Sequence, residues 1–278
     1  MIIREFPGAN IVGNYYPTLS TEPKGSILMG CAMGITQKYY HHLAEFLSES
    51  GYNVLTFDFR GTGSSAPRRL RGYDVNLFDW VEDIRSALIF LKGANAEIKL
   101  YFVGHSISSQ LFGFVDKNDL VDKAIFLASS TGYWKDGLGV AKWKNLFLLS
   151  VVMPLSNAVW GFTNAKFFKQ GENYPKGSSQ QWLKWCRHPH YFGVELTGTN
   201  NFFNQFTRSI ICFYFTDDVI ANEVSTRKLL SFYENAVSHL VEVKPSDFQQ
   251  QKIGHTGFLS RKFKPTFWKD IVDVLEKA

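Results

Sequence analysis

Apolar positions along this chain alternate between short continuous runs and helical spacing. Residues 26–32, 53–57, 98–103 and 123–128 are apolar runs of strand length. Between them Tyr40, Leu43, Ala44 and Leu47 share one helical face over 37–50, and Trp80, Ile84, Leu88 and Leu91 share another over 79–92. A further helix is predicted from Ile107 to about residue 114. Strands apolar on both faces and joined by helices predict a mostly parallel sheet covered by helices on both sides. Ahead of this rhythm, two short apolar runs around Pro7-Gly8 predict an entry hairpin over 2–16.

The rhythm breaks near Tyr133. Residues 133–206 hold five of the seven tryptophans (Trp134, Trp143, Trp160, Trp182, Trp185) and no clean strand-helix repeat. The rhythm returns with a strand over 209–215, a helix over 224–234, a strand over 240–243 and a C-terminal helix opened by Pro265. The expected organisation is a core of 1–132 and 207–278 with an inserted, mainly helical cap of 133–206. Within the cap, 146–155 is apolar on all sides and must pack on something; a cap helix buried against the core is the expected form.

Composition narrows the function classes. The chain has 278 residues, enough for one large α/β domain with an insertion. Its net charge of +5 comes without a dense basic run, so it reads as spread along the chain. That argues against a nucleic-acid partner and leaves only a weak attraction to anionic lipid surfaces. Cys31, Cys186 and Cys212 are widely spaced and form no CxxC pair, which predicts reduced thiols and a cytoplasmic protein. Met1 to Phe6 lacks a signal-peptide pattern. The stretch 146–162 is short and interrupted by Pro154, Ser156 and Asn157, so no transmembrane segment is expected.

The chemistry centres on Leu100-Tyr-Phe-Val-Gly-His-Ser-Ile-Ser-Ser109, a strand running into Gly104-His105-Ser106-Ile107-Ser108. A serine at such a strand-to-helix corner has an exposed hydroxyl, and the next backbone N–H can bind an oxyanion. The pattern G-x-S-x-G is incomplete here, because Ser108 replaces the second glycine. A nucleophilic serine also needs a base and an acid. His255, in Gly254-His255-Thr256-Gly257, follows the last predicted strand. Asp217 and Asp218 follow the strand before it, and Asp247 is an outside candidate. No pair of the remaining histidines shows metal-ligand spacing, so no metal is expected. Asp58-Phe-Arg-Gly-Thr-Gly63 lacks the Lys-Ser/Thr of a phosphate loop and the full GxGxxG spacing.

The order of the Gly34 loop, Asp58-x-Arg-Gly-x-Gly, Gly-His-Ser106, cap, Asp217-Asp218 and Gly254-His255 resembles the α/β-hydrolase superfamily. Within it the sequence is most similar to serine-aminopeptidase-like and monoacylglycerol-lipase-like bacterial hydrolases. The resemblance implies an α/β-hydrolase fold with Ser106 as nucleophile, His255 as base and Asp218, four residues before Asn222, as the orienting acid. Backbone N–H groups of Ile107 and Ile35 are the implied oxyanion donors, with Met33 as runner-up to Ile35. Met33, Trp134, Trp160 and Phe162 are the expected lining of an acyl pocket. No cofactor is implied. A small-molecule carboxylic ester with an apolar acyl group is the expected substrate. Peptide or amide hydrolysis and acyl transfer are the in-class alternatives, and a non-catalytic binding scaffold is the out-of-class one. Membrane-surface contact ranks last, since no helix with one apolar and one basic face is evident. The oligomeric state is left open.

Overall fold

The structure is a computed structural model and describes residues 1–277. The fully buried apolar runs form the middle of an eight-stranded sheet. Its strands are β1 (Ile2–Ile3), β2 (Val12–Tyr16), β3 (Gly25–Gly30), β4 (Tyr52–Asp58), β5 (Leu100–His105), β6 (Lys123–Leu127), β9 (Ser209–Phe215) and β10 (Val237–Val243). The spatial order is β1-β2-β4-β3-β5-β6-β9-β10. From β4 to β10 all pairings are parallel, while β1 and β2 run antiparallel as the expected entry hairpin. Such a sheet gathers functional groups at the carboxyl ends of its strands.

Helices cover both faces. On one side α1 (His41–Glu49) lays Leu43 and Leu47, and α8 (Phe267–Glu276) lays Trp268, Ile271 and Leu275, against Ile27, Val103 and Ile125. On the other side α2 (Leu77–Ala94) buries Trp80, Ile84 and Leu88 against Leu55, Phe102 and Phe126, together with α3 (Ile107–Phe112) and α7 (Glu223–Leu230). The predicted helix 79–92 starts earlier, because Asn76 caps it: its side chain accepts from Phe78 N–H, and Asp79 accepts from Asn76 N–H.

Between β6 and β9 the chain forms α4 (Ala141–Phe147), a π turn (Leu148–Val152) and α5 (Met153–Trp160) in unbroken succession. Pro154 lacks the N–H that a continuing α-ladder would need, which accounts for the widened turn before it. Gly161, left-handed at φ 79°, ends the run. A two-stranded pair, β7 (Phe162–Thr163) with β8 (Tyr174–Pro175), leads into α6 (Lys176–Arg187). The segment is anchored to the sheet side where Gln181 Oε1 accepts from Leu77 N–H at 2.8 Å and where the buried Trp185 stacks on Phe114. No helix among the described residues is long and apolar enough to cross a membrane.

Candidate active site

Ser106 stands at the carboxyl end of β5, at the corner into α3, with φ 54° and ψ −113°. That conformation costs a non-glycine residue about 1–3 kcal/mol, so the surroundings must hold it. Ser106 N–H donates to Leu127 O at 3.1 Å and to Ser129 Oγ at 3.0 Å. The missing elbow glycine is compensated one strand away. Gly30 and Gly104 are partners across β3 and β5, and each lacks the Cβ that would collide with a serine of α3. A Cβ on Gly30 would lie 2.6 Å from Ser108 Cβ, and one on Gly104 would lie 2.5 Å from Ser109 Oγ. Ser108 Oγ also donates to Cys31 O, at the foot of the Met33-Gly34 loop.

The three separated candidates meet. His255 Nδ1 lies 2.7 Å from Asp218 Oδ2, and His255 Nε2 lies 3.1 Å from Ser106 Oγ. An ionised carboxylate only accepts, so Nδ1 carries the proton and Nε2 is free to accept from the serine hydroxyl. Asp218 is fully buried, and its other oxygen accepts from Ile220 N–H at 2.8 Å. Asp217 points the other way and accepts from Ile253 and Gly254 N–H, shaping the loop that carries His255. Asp247 is exposed and accepts from Lys244 N–H, away from this cluster.

His105 plays a part that its sequence position did not signal. Its Nε2 donates to His255 O at 2.9 Å, and its Nδ1 accepts from Tyr40 O–H at 2.6 Å. Tyr40 in turn accepts from Ala32 N–H at 2.8 Å. One buried imidazole therefore ties the His255 loop to the Met33 loop. Burial, and then the nearby His255, push the His105 pKa well below its usual value, so this ring is neutral.

The oxyanion expectation needs one correction. Ile35 N–H is committed to Ala32 O at 3.1 Å inside the loop turn. Met33 N–H and Ile107 N–H make no hydrogen bond among the described residues, and Met33 and Ile35 both line the cavity above Ser106. That cavity has a volume of about 280 Å³ and is lined mainly by apolar residues, among them Met33, Ile35, Leu148, Val152, Met153, Trp182 and Ile220, with Ser156, Thr163 and Gln170 as polar members, beside Ser106 and His255. Leu148, Trp182 and Ile220 also border a second apolar space of about 100 Å³ that reaches Trp134, Leu149 and Cys186.

Two expected lining residues lie elsewhere. Trp160, at the end of α5, packs on Phe167 and Phe168. Phe162 borders a larger groove of about 950 Å³ with Arg68, Arg69 and Arg71, apart from Ser106. The reason is the helix run, which turns Leu148, Val152 and Met153 inward and carries 160–162 past the site. Contrary to the spacing argument, His41, His42 and Glu45 do gather on one turn of α1, with ligand atoms within 4.8 Å of one another. They are partly exposed, and Arg261 donates to His42 Nδ1 at 3.2 Å, placing a cation where a metal would stand.

A comparison with curated proteins gave no match. Solved structures with the same fold include a soluble variant of monoglyceride lipase from Saccharomyces cerevisiae bound to a substrate analog. It is 18% identical, covers 99% of this chain and 94% of its own, and has a TM-score of 0.72. A monoacylglycerol lipase from Paleococcus ferrophilus is 14% identical over 96% of this chain and 98% of its own, with a TM-score of 0.61. An esterase from Pyrococcus furiosus is 15% identical over 99% and 89%, with a TM-score of 0.62. At these identities the likeness is one of fold. The family model for serine aminopeptidase, S33, matches residues 21–179, which include the Met33 loop and Ser106 but neither Asp218 nor His255. With more than half of its length matched and this sheet beneath it, the chain belongs to the serine aminopeptidase S33 family of α/β hydrolases.

Proposed function

We propose that this hydrolase cleaves a carboxylic ester with an apolar acyl group through an acyl-enzyme on Ser106. Ser106 Oγ attacks the carbonyl carbon while His255 Nε2 takes its proton. Asp218 holds the imidazole in the needed tautomer and stabilises its charged form. The N–H groups of Ile107 and Met33 receive the developing oxyanion. Loss of one such donor typically costs a hundredfold to a thousandfold in rate. His255 returns the proton to the leaving alkoxide, and water then repeats the sequence on the acyl-serine to release the acid. The segment 133–206 serves as the cap that roofs the carbonyl. Three unpaired, buried thiols suit a reducing compartment, the cytoplasm.

The observation that carries this reading is the hydrogen-bonded chain Asp218–His255–Ser106 opening into an apolar cavity. The family's descriptive term raises aminopeptidase activity as a second reading. Binding a free α-ammonium calls for a carboxylate near the reacting carbonyl. Among the described residues no Asp or Glu lines the cavity over Ser106. An ester with a short to medium acyl chain fits better, since the cavity lies at the small end of ligand sites. A fluorophosphonate probe is expected to label the wild type and not Ser106→Ala. Labelling of both would move the nucleophile elsewhere. In a panel of p-nitrophenyl esters and aminoacyl amides, faster turnover of the amides would replace the esterase reading with the peptidase one.

A further inference from the structure

The helix run 141–160 is apolar on two sides. Its inner side supplies Leu148, Leu149, Val152 and Met153 to the cavities. Its outer side carries Trp143, Phe147, Val151, Leu155 and Val159, which are 46–60% exposed. These five residues recur every fourth position. A four-residue step overshoots an α-turn of 3.6, and the wider π turn at 148–152 takes up part of the overshoot, which helps to keep the row outside. Val140 continues the row at one end, 75% exposed, and Phe167 stands beside Trp160 at the other, 66% exposed. Among the described residues nothing covers this ridge. Singly exposed apolar residues need no explanation, but a continuous ridge of this length does.

The charge around it selects the partner. Residues 133–206 hold eight Lys and Arg against three Asp and Glu, while the rest of the chain holds 22 of each. The net charge of +5 is therefore not spread along the chain; it lies wholly in the segment that carries the ridge. Lys142 and Lys144 flank Trp143 and make no ion pair among the described residues. At the other end the Arg71 side chain lies against Gly161, with Arg68 and Arg69 on the same groove. These three also make no ion pair among the described residues.

We propose that the outer face of helix run 141–160 docks the protein on an anionic lipid surface. Trp143, Phe147 and Leu155 enter the headgroup boundary, and the flanking cations meet lipid phosphates. Partition of this kind grows with buried apolar area plus attraction to anionic headgroups. The docking itself is independent of the esterase reading. Only its use rests on that reading: the face opposite the membrane is the wall of the Ser106 cavity.

The test is co-sedimentation of the full chain with phosphatidylcholine vesicles, with and without phosphatidylglycerol. The catalytically disabled Ser106→Ala chain serves in parallel, so that a failed esterase reading leaves the result legible. Binding is expected to the phosphatidylglycerol vesicles, equal for both proteins, and weakened by salt. Phe147→Ser with Leu155→Ser should weaken it about a hundredfold, as expected for two buried apolar side chains. Hydrolysis of a water-soluble p-nitrophenyl ester should be unchanged in that double variant. Lys142→Gln with Lys144→Gln should remove most of the preference for the anionic vesicles. Absence of binding to phosphatidylglycerol vesicles, or binding indifferent to the double serine variant, would overturn the proposal. So would concentration-dependent dimerisation abolished by the same two serines, which would assign the ridge to a second copy of the chain.

Discussion

The floor and the roof of the Ser106 cavity are built from opposite materials. The floor is a web of short polar bonds: Ser106 to Ser129, Ser108 to Cys31, His105 to Tyr40 and to His255, Asp217 to the His255 loop. Each atom there has one place to be. The roof is mainly Leu148, Val152, Met153, Trp182 and Ile220, packed by shape and exclusion of water, with Ser156, Thr163 and Gln170 as its few polar members. The difference separates two tasks. Directional bonds can fix side chains to the tolerance that chemistry requires, whereas apolar packing tolerates a range of shapes.

Changes to the floor should therefore act on turnover, and changes to the roof on selectivity. The largest effect is expected for Asp218→Asn, which loses about ten-thousandfold in kcat by presenting the wrong tautomer. Asp217→Asn retains one acceptor for the loop N–H groups and should cost stability of about 1–3 kcal/mol instead. Steady-state kinetics and denaturant unfolding on both variants decide this, and the reverse ranking would exchange the two aspartates. For the roof, Leu148→Trp is expected to shrink the space above Ser106. On a p-nitrophenyl series from acetate to octanoate, kcat/KM should fall about a hundredfold for the longest ester and little for acetate. A uniform fall would mean that the acyl group lies elsewhere.

A smaller effect tests the glycine exchange. Gly30→Ala should destabilise by about 1–3 kcal/mol through overpacking against Ser108, and Ser108→Gly in the same chain should recover most of it. Additive losses would deny the coupling. The smallest effect is a slope. The folded protein keeps His105 neutral, whereas an unfolded chain protonates it below about pH 6.5. The unfolded state then binds the extra proton, so stability from this group is present above that pH and is lost as pH falls. The slope is about 1.4 kcal/mol per unit. Urea titrations at pH 7 and pH 5.5 should show this dependence in the wild type and a flatter one in His105→Asn.

Much of the architecture was legible because buried parallel strands write themselves as continuous apolar runs, and amphipathic helices as spaced ones. The order Ser106, Asp218, His255 was legible for the same reason: each follows a strand. What escaped is what depends on register or on a single turn. Gly30 meets Ser108 only because β3 and β5 pair with Gly30 opposite Gly104. Ile35 N–H is engaged by one turn bond to Ala32 O, which no residue pattern announces. Trp160 and Phe162 were expected at the pocket by composition, but a π turn and Gly161 carry them past it. His105 gave no signal, because its partners Tyr40 and His255 lie 65 and 150 residues away.

Those long separations have a kinetic consequence. Ser106 and His255 are 149 residues apart in the chain, and the loop bearing His255 follows β9 and β10 at the far edge of the sheet. Contacts of such sequence distance are the late, slow closures of a folding reaction. During refolding, helical signal should return first and fluorophosphonate reactivity at Ser106 last, making that reactivity a reporter of the final docking step.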